Sequence, residues 1–79
     1  MLPLKIKKAF ALVLKEIRQE KKLSQEKLAE KCGFHTTIIG RIETSQREPK
    51  ISTVFKIADS VEIPIDVFMK RIDEKRQQN

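Results

Sequence analysis

Apolar residues recur at intervals of three and four along nearly the whole chain, and this spacing constrains the fold more than any other feature. Ile6, Phe10, Val13, Leu14 and Ile17 form the first such set. Only a helical period near 3.6 gathers residues at these intervals on one face. The spacing predicts a first helix over residues 5–21, with Lys21 and Lys22 at its C-terminal end, where the helix dipole favours cations. Ser24 reads as the N-cap of a short second helix, Gln25 to Lys31, with Leu28, Ala29 and Cys32 facing inward and Gly33 as its left-handed stop. A third helix starts at His35 or Thr36 and runs to about Thr44, carrying Ile38, Ile39 and Ile42. Ile39 and Ile42 fit its core stripe better than Ile38, which is left near the surface, free for a contact there or packed beside helix two. After a polar loop, Ser45 to Lys50, Ser52 is expected to cap a fourth helix whose apolar set is Val54, Phe55, Ile57, Ala58 and Val61. Pro64 opens a fifth, where its missing N–H costs little. The chain holds 2 glycines and 3 prolines and neither Trp nor Tyr, too few turn residues and aromatics for an all-β domain. The expectation is an all-α, five-helix single domain over residues 1–79, with a core of about residues 5–73 and a frayed tail at 74–79.

A domain of 79 residues buries only roughly 60% of its unfolded surface and is marginal without help. One Cys rules out an intrachain disulfide, and one Cys with one His nearly excludes a closed zinc site, so no metal and no cofactor are expected. Efficient helix packing, or a second subunit, is what remains. The chain shows no nucleophile–base pair, metal cluster or phosphate loop, so it is not expected to be an enzyme. No apolar run approaches the ~18 residues of a membrane span, and no signal-peptide pattern is visible, which predicts a cytoplasmic protein without membrane association. The formal charge is +6 and the pI near 9.7, the signature of a polyanion partner. That charge is unevenly placed. Residues 1–50 hold 12 Lys and Arg against 6 Asp and Glu, whereas residues 51–79 hold 5 of each. The first fifty residues are therefore the half expected to meet the polyanion.

Two short helices joined at Cys32-Gly33-Phe34 make a helix-turn-helix layout. Gly33 permits the reversal, Phe34 plugs the corner, and Ala29 is small enough for the two helix backbones to approach. In such a motif the first helix crosses the phosphate backbone and the second presents its N-terminal residues to the major groove. The residues then match a family. Ser24-Gln25-Glu26-Lys27-Leu28-Ala29, Ile39, Arg41-Ile42-Glu43, Arg47-Glu48-Pro49, Lys56-Ile57-Ala58 and Ile63-Pro64-Ile65 resemble, in order and spacing, the Xre-type, lambda-repressor-like helix-turn-helix regulators. The resemblance covers about residues 8–72. Two departures stand out: Ser45 occupies the place of the family's usual glycine after helix three, and Gly40 lies inside the recognition helix, where a polar residue is more common.

The resemblance implies a sequence-specific, double-stranded DNA-binding transcriptional regulator. It would act as a homodimer whose recognition helices enter successive major grooves about 34 Å apart on a near-palindromic operator. With no room for a ligand domain in 79 residues, no small-molecule ligand is expected, and regulation would follow protein concentration. Activation would bring in contact with RNA polymerase, and repression would occlude the promoter. In size the chain is similar to the small controller proteins of restriction–modification systems. A phage or mobile-element repressor, or an antitoxin-type interaction module, is the alternative.

Candidate base contacts are Thr36, Thr37 and Arg41 on the outer face of helix three; an arginine can pair with both O6 and N7 of guanine. Candidate backbone contacts are Arg18, Gln25, His35, Arg47, Lys50 and Ser52. Gln25 is named by the resemblance as a phosphate anchor that can also brace helix three. His35 is either a phosphate contact or a plain surface residue. A carboxylate facing DNA would repel it, so Glu43 is given a structural role, and the resemblance suggests that it orients a basic side chain. Cys32 reads as a small core residue. Ile65, Phe68, Met69 and Ile72 form a stripe that serves as core or as interface. Because four helices already close a compact unit, the stripe is read as the dimer interface.

Overall fold

The computed structural model describes residues 6–78. Five helices follow one another: α1 (Ile6–Glu20), α2 (Gln25–Cys32), α3 (Thr36–Glu43), α4 (Ile51–Ser60) and α5 (Ile65–Gln77), with no strand among the described residues. The expected start of the first helix at Lys5 and the last residue of the tail, Asn79, lie outside the described residues. None of these helices is long and apolar enough to cross a membrane.

The core forms where the apolar stripes converge. Phe10, Val13, Leu14 and Ile17 of α1 meet Leu28 and Ala29 of α2, Ile39 and Ile42 of α3, Ile57 and Ala58 of α4, and Phe68 of α5. Each of these is at most 1% exposed. Helix α1 lies at the centre, packed on α5 and α3, while α2 packs on α3 and α4. Phe10 and Phe68 stack edge to face with ring centroids 5.8 Å apart, a geometry that suits the aromatic quadrupoles. Ala29 is fully buried between α2 and its neighbours, consistent with the need for a small residue there.

One stopping device is used four times. At the ends of α1, α2, α3 and α4 the chain turns through a left-handed residue, and backbone N–H groups reach back to free carbonyls of the last turn. At α2 this residue is Gly33 (φ 72°), with the Phe34 N–H on Ala29 O at 2.8 Å. At the other three it is Lys22 (φ 58°), Ser45 (φ 60°) and Glu62 (φ 59°). The following N–H groups bond Arg18 O, Arg41 O and Ala58 O at 3.0, 2.9 and 3.0 Å. Ser45 thus stands where the resembled family has glycine because the backbone there is left-handed, and it holds that conformation against the steric preference of an L-residue.

Several expectations are corrected. Ser52 is not the cap of α4. The helix begins one residue earlier, at Ile51, with Lys50 as an N-cap that makes no side-chain bond. Phe55 is 46% exposed, because the buried stripe of α4 is filled by Val54, Ile57 and Ala58. Pro64 is the N-cap of α5, one position before the helix proper. Past residue 74, where a frayed tail was expected, α5 continues to Gln77. It is held there by Lys75 Nζ on Glu16 Oε2 at 2.6 Å and by Arg71 on Glu20 at 2.8 Å.

The stripe read as a dimer interface is also divided by the structure. Phe68 is fully buried and Ile72 is 6% exposed, since α5 docks on α1 and completes the core. Of the four residues, Met69 is exposed and Ile65 half-buried.

Candidate nucleic-acid interface

The Ser24 hydroxyl accepts the Lys27 N–H at 3.0 Å and starts α2, which fixes Gln25 at the first helical position. Gly33 and Phe34 then turn the chain into α3. His35 caps α3 through Nδ1, which accepts the Thr37 backbone N–H at 3.3 Å and lies 3.0 Å from Thr37 Oγ1. A ring nitrogen that accepts a backbone N–H carries a lone pair. Thr37 Oγ1 is therefore the donor in that contact, and in the neutral ring the proton sits on Nε2. His35, Thr36, Thr37 and Arg41 are all exposed.

Thr37, Gly40, Arg41 and Thr44 are spaced three, four and seven apart and therefore share one face of α3. With Gln25 and Gln46 they line a shallow cleft of about 360 Å³. The structure brings Gln25, Thr37 and Arg41 together in this cleft and leaves Thr36 outside it. Thr44 and Gln46 belong to it although they were not singled out from sequence. The spacing of seven from Thr37 to Thr44 was the available signal for the first. The position of Gln46 depends on the left-handed turn at Ser45, which the residue type does not advertise. Ile38 is half-buried and packs against the core.

Behind this face lies a polar clamp that joins three helices. Glu43 closes α3, and its carboxylate receives Arg18 Nε at 2.7 Å, Arg18 Nη2 at 3.1 Å and Gln25 Nε2 at 3.0 Å. A further N–H of Arg18 donates to Leu23 O at 2.9 Å. The Glu43 side chain is 3% exposed and that of Arg18 13%. The paired carboxylate holds the Arg18 guanidinium above its ordinary range, chiefly through the hydrogen bond, with burial opposing it and charge attraction adding the least. The expectation that Glu43 is structural and orients a basic side chain describes this geometry, and Arg18 is that side chain. Arg18 is therefore poorly placed as a phosphate contact: it is turned inward, and each of its three nitrogens already donates within the protein. Gln25 is exposed but braced, with one amide N–H committed to Glu43.

None of the ion pairs among the described residues engages Arg41, Arg47 or Lys50. Arg47 and Lys50 are exposed in the loop after α3, and Ser52 is exposed in the first turn of α4. The N–H groups of that turn have no side-chain cap, the arrangement that suits an anion. Cys32 is buried, and burial raises its thiol above the ordinary range, which fits a core residue.

A family model described as helix-turn-helix matches residues 14–68. The chain belongs to the helix-turn-helix family. It is similar to the control protein C.SmaI of Serratia marcescens, with 33% identity over 73 residues, covering 92% of this chain and 87% of that protein. It is also similar to the HTH-type transcriptional regulator SutR of Escherichia coli K12, with 32% identity over 60 residues. That match covers 76% of this chain but only 34% of SutR, so the chain spans about a third of that relative's length. Among solved structures, a point mutant of the restriction–modification controller protein C.Esp1396I superposes with a TM-score of 0.88 and 28% identity, covering 94% of each chain. The same controller was solved as a tetramer in complex with its natural 35-base-pair operator. That structure matches with a TM-score of 0.83 and 30% identity, over 89% of this chain and 92% of that one.

Proposed function

We propose that this chain is a sequence-specific regulator of transcription that binds double-stranded DNA as a homodimer on a near-palindromic operator, and that it serves as a controller of a restriction–modification operon. The observation that carries the reading is the outer face of α3. It is polar, exposed and free of ion pairs at Arg41, while the residues behind it are locked by the Arg18–Glu43–Gln25 clamp. Such a face can meet base edges without first breaking internal bonds. Thr37 and Arg41 are the base contacts, with Thr36 beside them at the helix start. Gln25, His35 through its Nε2–H, Arg47, Lys50 and the first turn of α4 at Ser52 contact phosphate. The controller assignment is supported by near end-to-end likeness to C.SmaI and C.Esp1396I, against the partial match to the longer SutR.

For the homodimer, the apolar surface left outside the core is the guide. Ile51 (64% exposed) and Phe55 (46%) lie one turn apart on α4, and Met69 (41%) lies one turn from the half-buried Ile65 on α5. Ile51 and Met69 line one groove, so the two sets adjoin. This face, rather than the buried Phe68 and Ile72, is the surface a second copy covers.

Binding to a duplex selected from random DNA tests the reading. Arg41→Ala should lose about 1–3 kcal/mol on the selected duplex and much less on a scrambled one, and affinity should fall steeply between low and moderate salt. Equal losses on both duplexes would remove Arg41 from base reading. Phe55→Asp should sediment as a monomer with its helical signal intact; a dimer that survives the change would exclude this face.

A further inference from the structure

Gly40 is left unexplained by the reading above. A glycine inside a helix costs about 1 kcal/mol against alanine. The backbone does not require it, because among the glycines only Gly33 has a positive φ. The reason lies in space. A Cβ at Gly40 would stand 3.2 Å from Gln25 Oε1 and 3.8 Å from Gln25 Cδ. Gln25 has little freedom to yield, since its amide nitrogen is held on Glu43 at 3.0 Å and Glu43 is held in turn by Arg18. Gly40 therefore forms the floor of the cleft on the outer face of α3, between Thr37, Arg41 and Thr44.

The cleft lies on the polar face of α3, but its floor at Gly40 offers no side chain. The Thr44 hydroxyl donates to Gly40 O at 2.9 Å, and the Thr37 hydroxyl is engaged by His35 Nδ1 at 3.0 Å. With each hydroxyl hydrogen committed, the two threonines have no free donor for the cleft; they offer it their methyls and hydroxyl lone pairs, and the floor is a bare Cα. In the major groove the apolar feature of a base edge is the 5-methyl group of thymine. We propose that the notch at Gly40 receives a pyrimidine 5-methyl group, that of thymine in unmodified DNA, beside the base read by Arg41, and so makes Gly40 a specificity-determining residue. The proposal rests on the DNA-binding reading given above. A side chain at this position would fill the notch and hold the base edge away.

The test uses the whole protein and the selected duplex, with each thymine replaced singly by deoxyuridine, which deletes only the methyl. The wild type should lose about fourfold in affinity at one position per half-site, the change expected for one buried methyl-sized group. Gly40→Ala, which raises helix propensity but presses its Cβ on Gln25 Oε1, should bind the thymine and deoxyuridine duplexes equally at that position, whatever its overall affinity. A 5-methylcytosine–guanine pair placed there should bind about fourfold better than cytosine–guanine if the methyl alone is read; equal binding of the two would assign the notch to thymine. The proposal is overturned if no deoxyuridine position weakens the wild type, or if Gly40→Ala keeps the full penalty. The wild-type scan needs no variant to fold. Failure to select any duplex would overturn the DNA-binding reading itself, whereas a selected duplex that ignores every methyl would overturn the notch alone.

Discussion

Replacing Glu43 with alanine should be among the most damaging single changes in this chain, and the structure fixes its size. The carboxylate accepts three hydrogen bonds, at 2.7, 3.0 and 3.1 Å, two from Arg18 and one from Gln25. Bonds to a charged group contribute about 1.5–3 kcal/mol each, but they are not independent here. The larger effect is the guanidinium left behind. Removing one partner of a buried pair costs roughly 3–5 kcal/mol because the other charge is then buried and unpaired. Arg18 keeps its bond to Leu23 O and retains 13% exposure, which places the loss at the lower end, about 3 kcal/mol. In a domain of this size that lowers Tm by roughly 12–24 °C. Urea unfolding followed by far-UV circular dichroism measures the loss directly. Glu20→Ala provides the comparison. Glu20 pairs with Arg71 at 2.8 Å but is 55% exposed, and such a pair contributes about 0–1 kcal/mol. The double variant Arg18→Met/Glu43→Leu, which removes both charges, should recover most of the stability. If Glu43→Ala costs no more than Glu20→Ala, burial of the clamp is not what gives it strength, and the reasoning fails.

Other expectations follow from the same packing. Ser45→Gly should raise stability by about 1 kcal/mol, by relieving a left-handed L-residue at the end of α3; an unchanged urea midpoint would refute that strain. Ala29→Leu should destabilise by about 1–3 kcal/mol, because α2 leaves no room for extra volume at a fully buried site. Cys32 should resist a thiol reagent at neutral pH in the folded protein, since burial keeps the thiol protonated, and react fully once urea unfolds the chain. Labelling of the folded protein as fast as that of the unfolded chain would contradict it.

Much of the fold was legible because its signals are local. Ser24 as a cap, Gly33 as a left-handed stop and the inward residues Leu28, Ala29 and Cys32 depend only on neighbours within a turn or two. What was not legible depended on residues far along the chain. Periodicity marks Phe68 and Ile72 as apolar and in register, but only the docking of α5 on α1 decides that they are core. Arg18 looks like any basic residue on a helix until Glu43, 25 positions later, takes it out of play. The tail reads as polar and free, yet Lys75 is tied to Glu16 across 59 positions. Ser52 was misplaced for a different reason: α4 starts at Ile51 without any side-chain cap, so the nearest capping residue type misled by two positions. In the site, Thr37 and Arg41 followed from the helical face, whereas the cleft floor at Gly40 required knowing where Gln25 Oε1 lies.

The first helix of this chain is completed by its last, and that order matters while the chain is being made. Phe10 waits for Phe68, and Glu16 and Glu20 wait for Lys75 and Arg71. A ribosome adds about 5–20 residues per second. Until α5 is made and free of the ribosome, the core that should hold α2 and α3 lacks one wall. A message that ends between Glu43 and Ile65 yields a peptide with α3 but without the helix that completes its core. Such fragments lack the Phe10–Phe68 contact that closes the core and should be open to proteolysis.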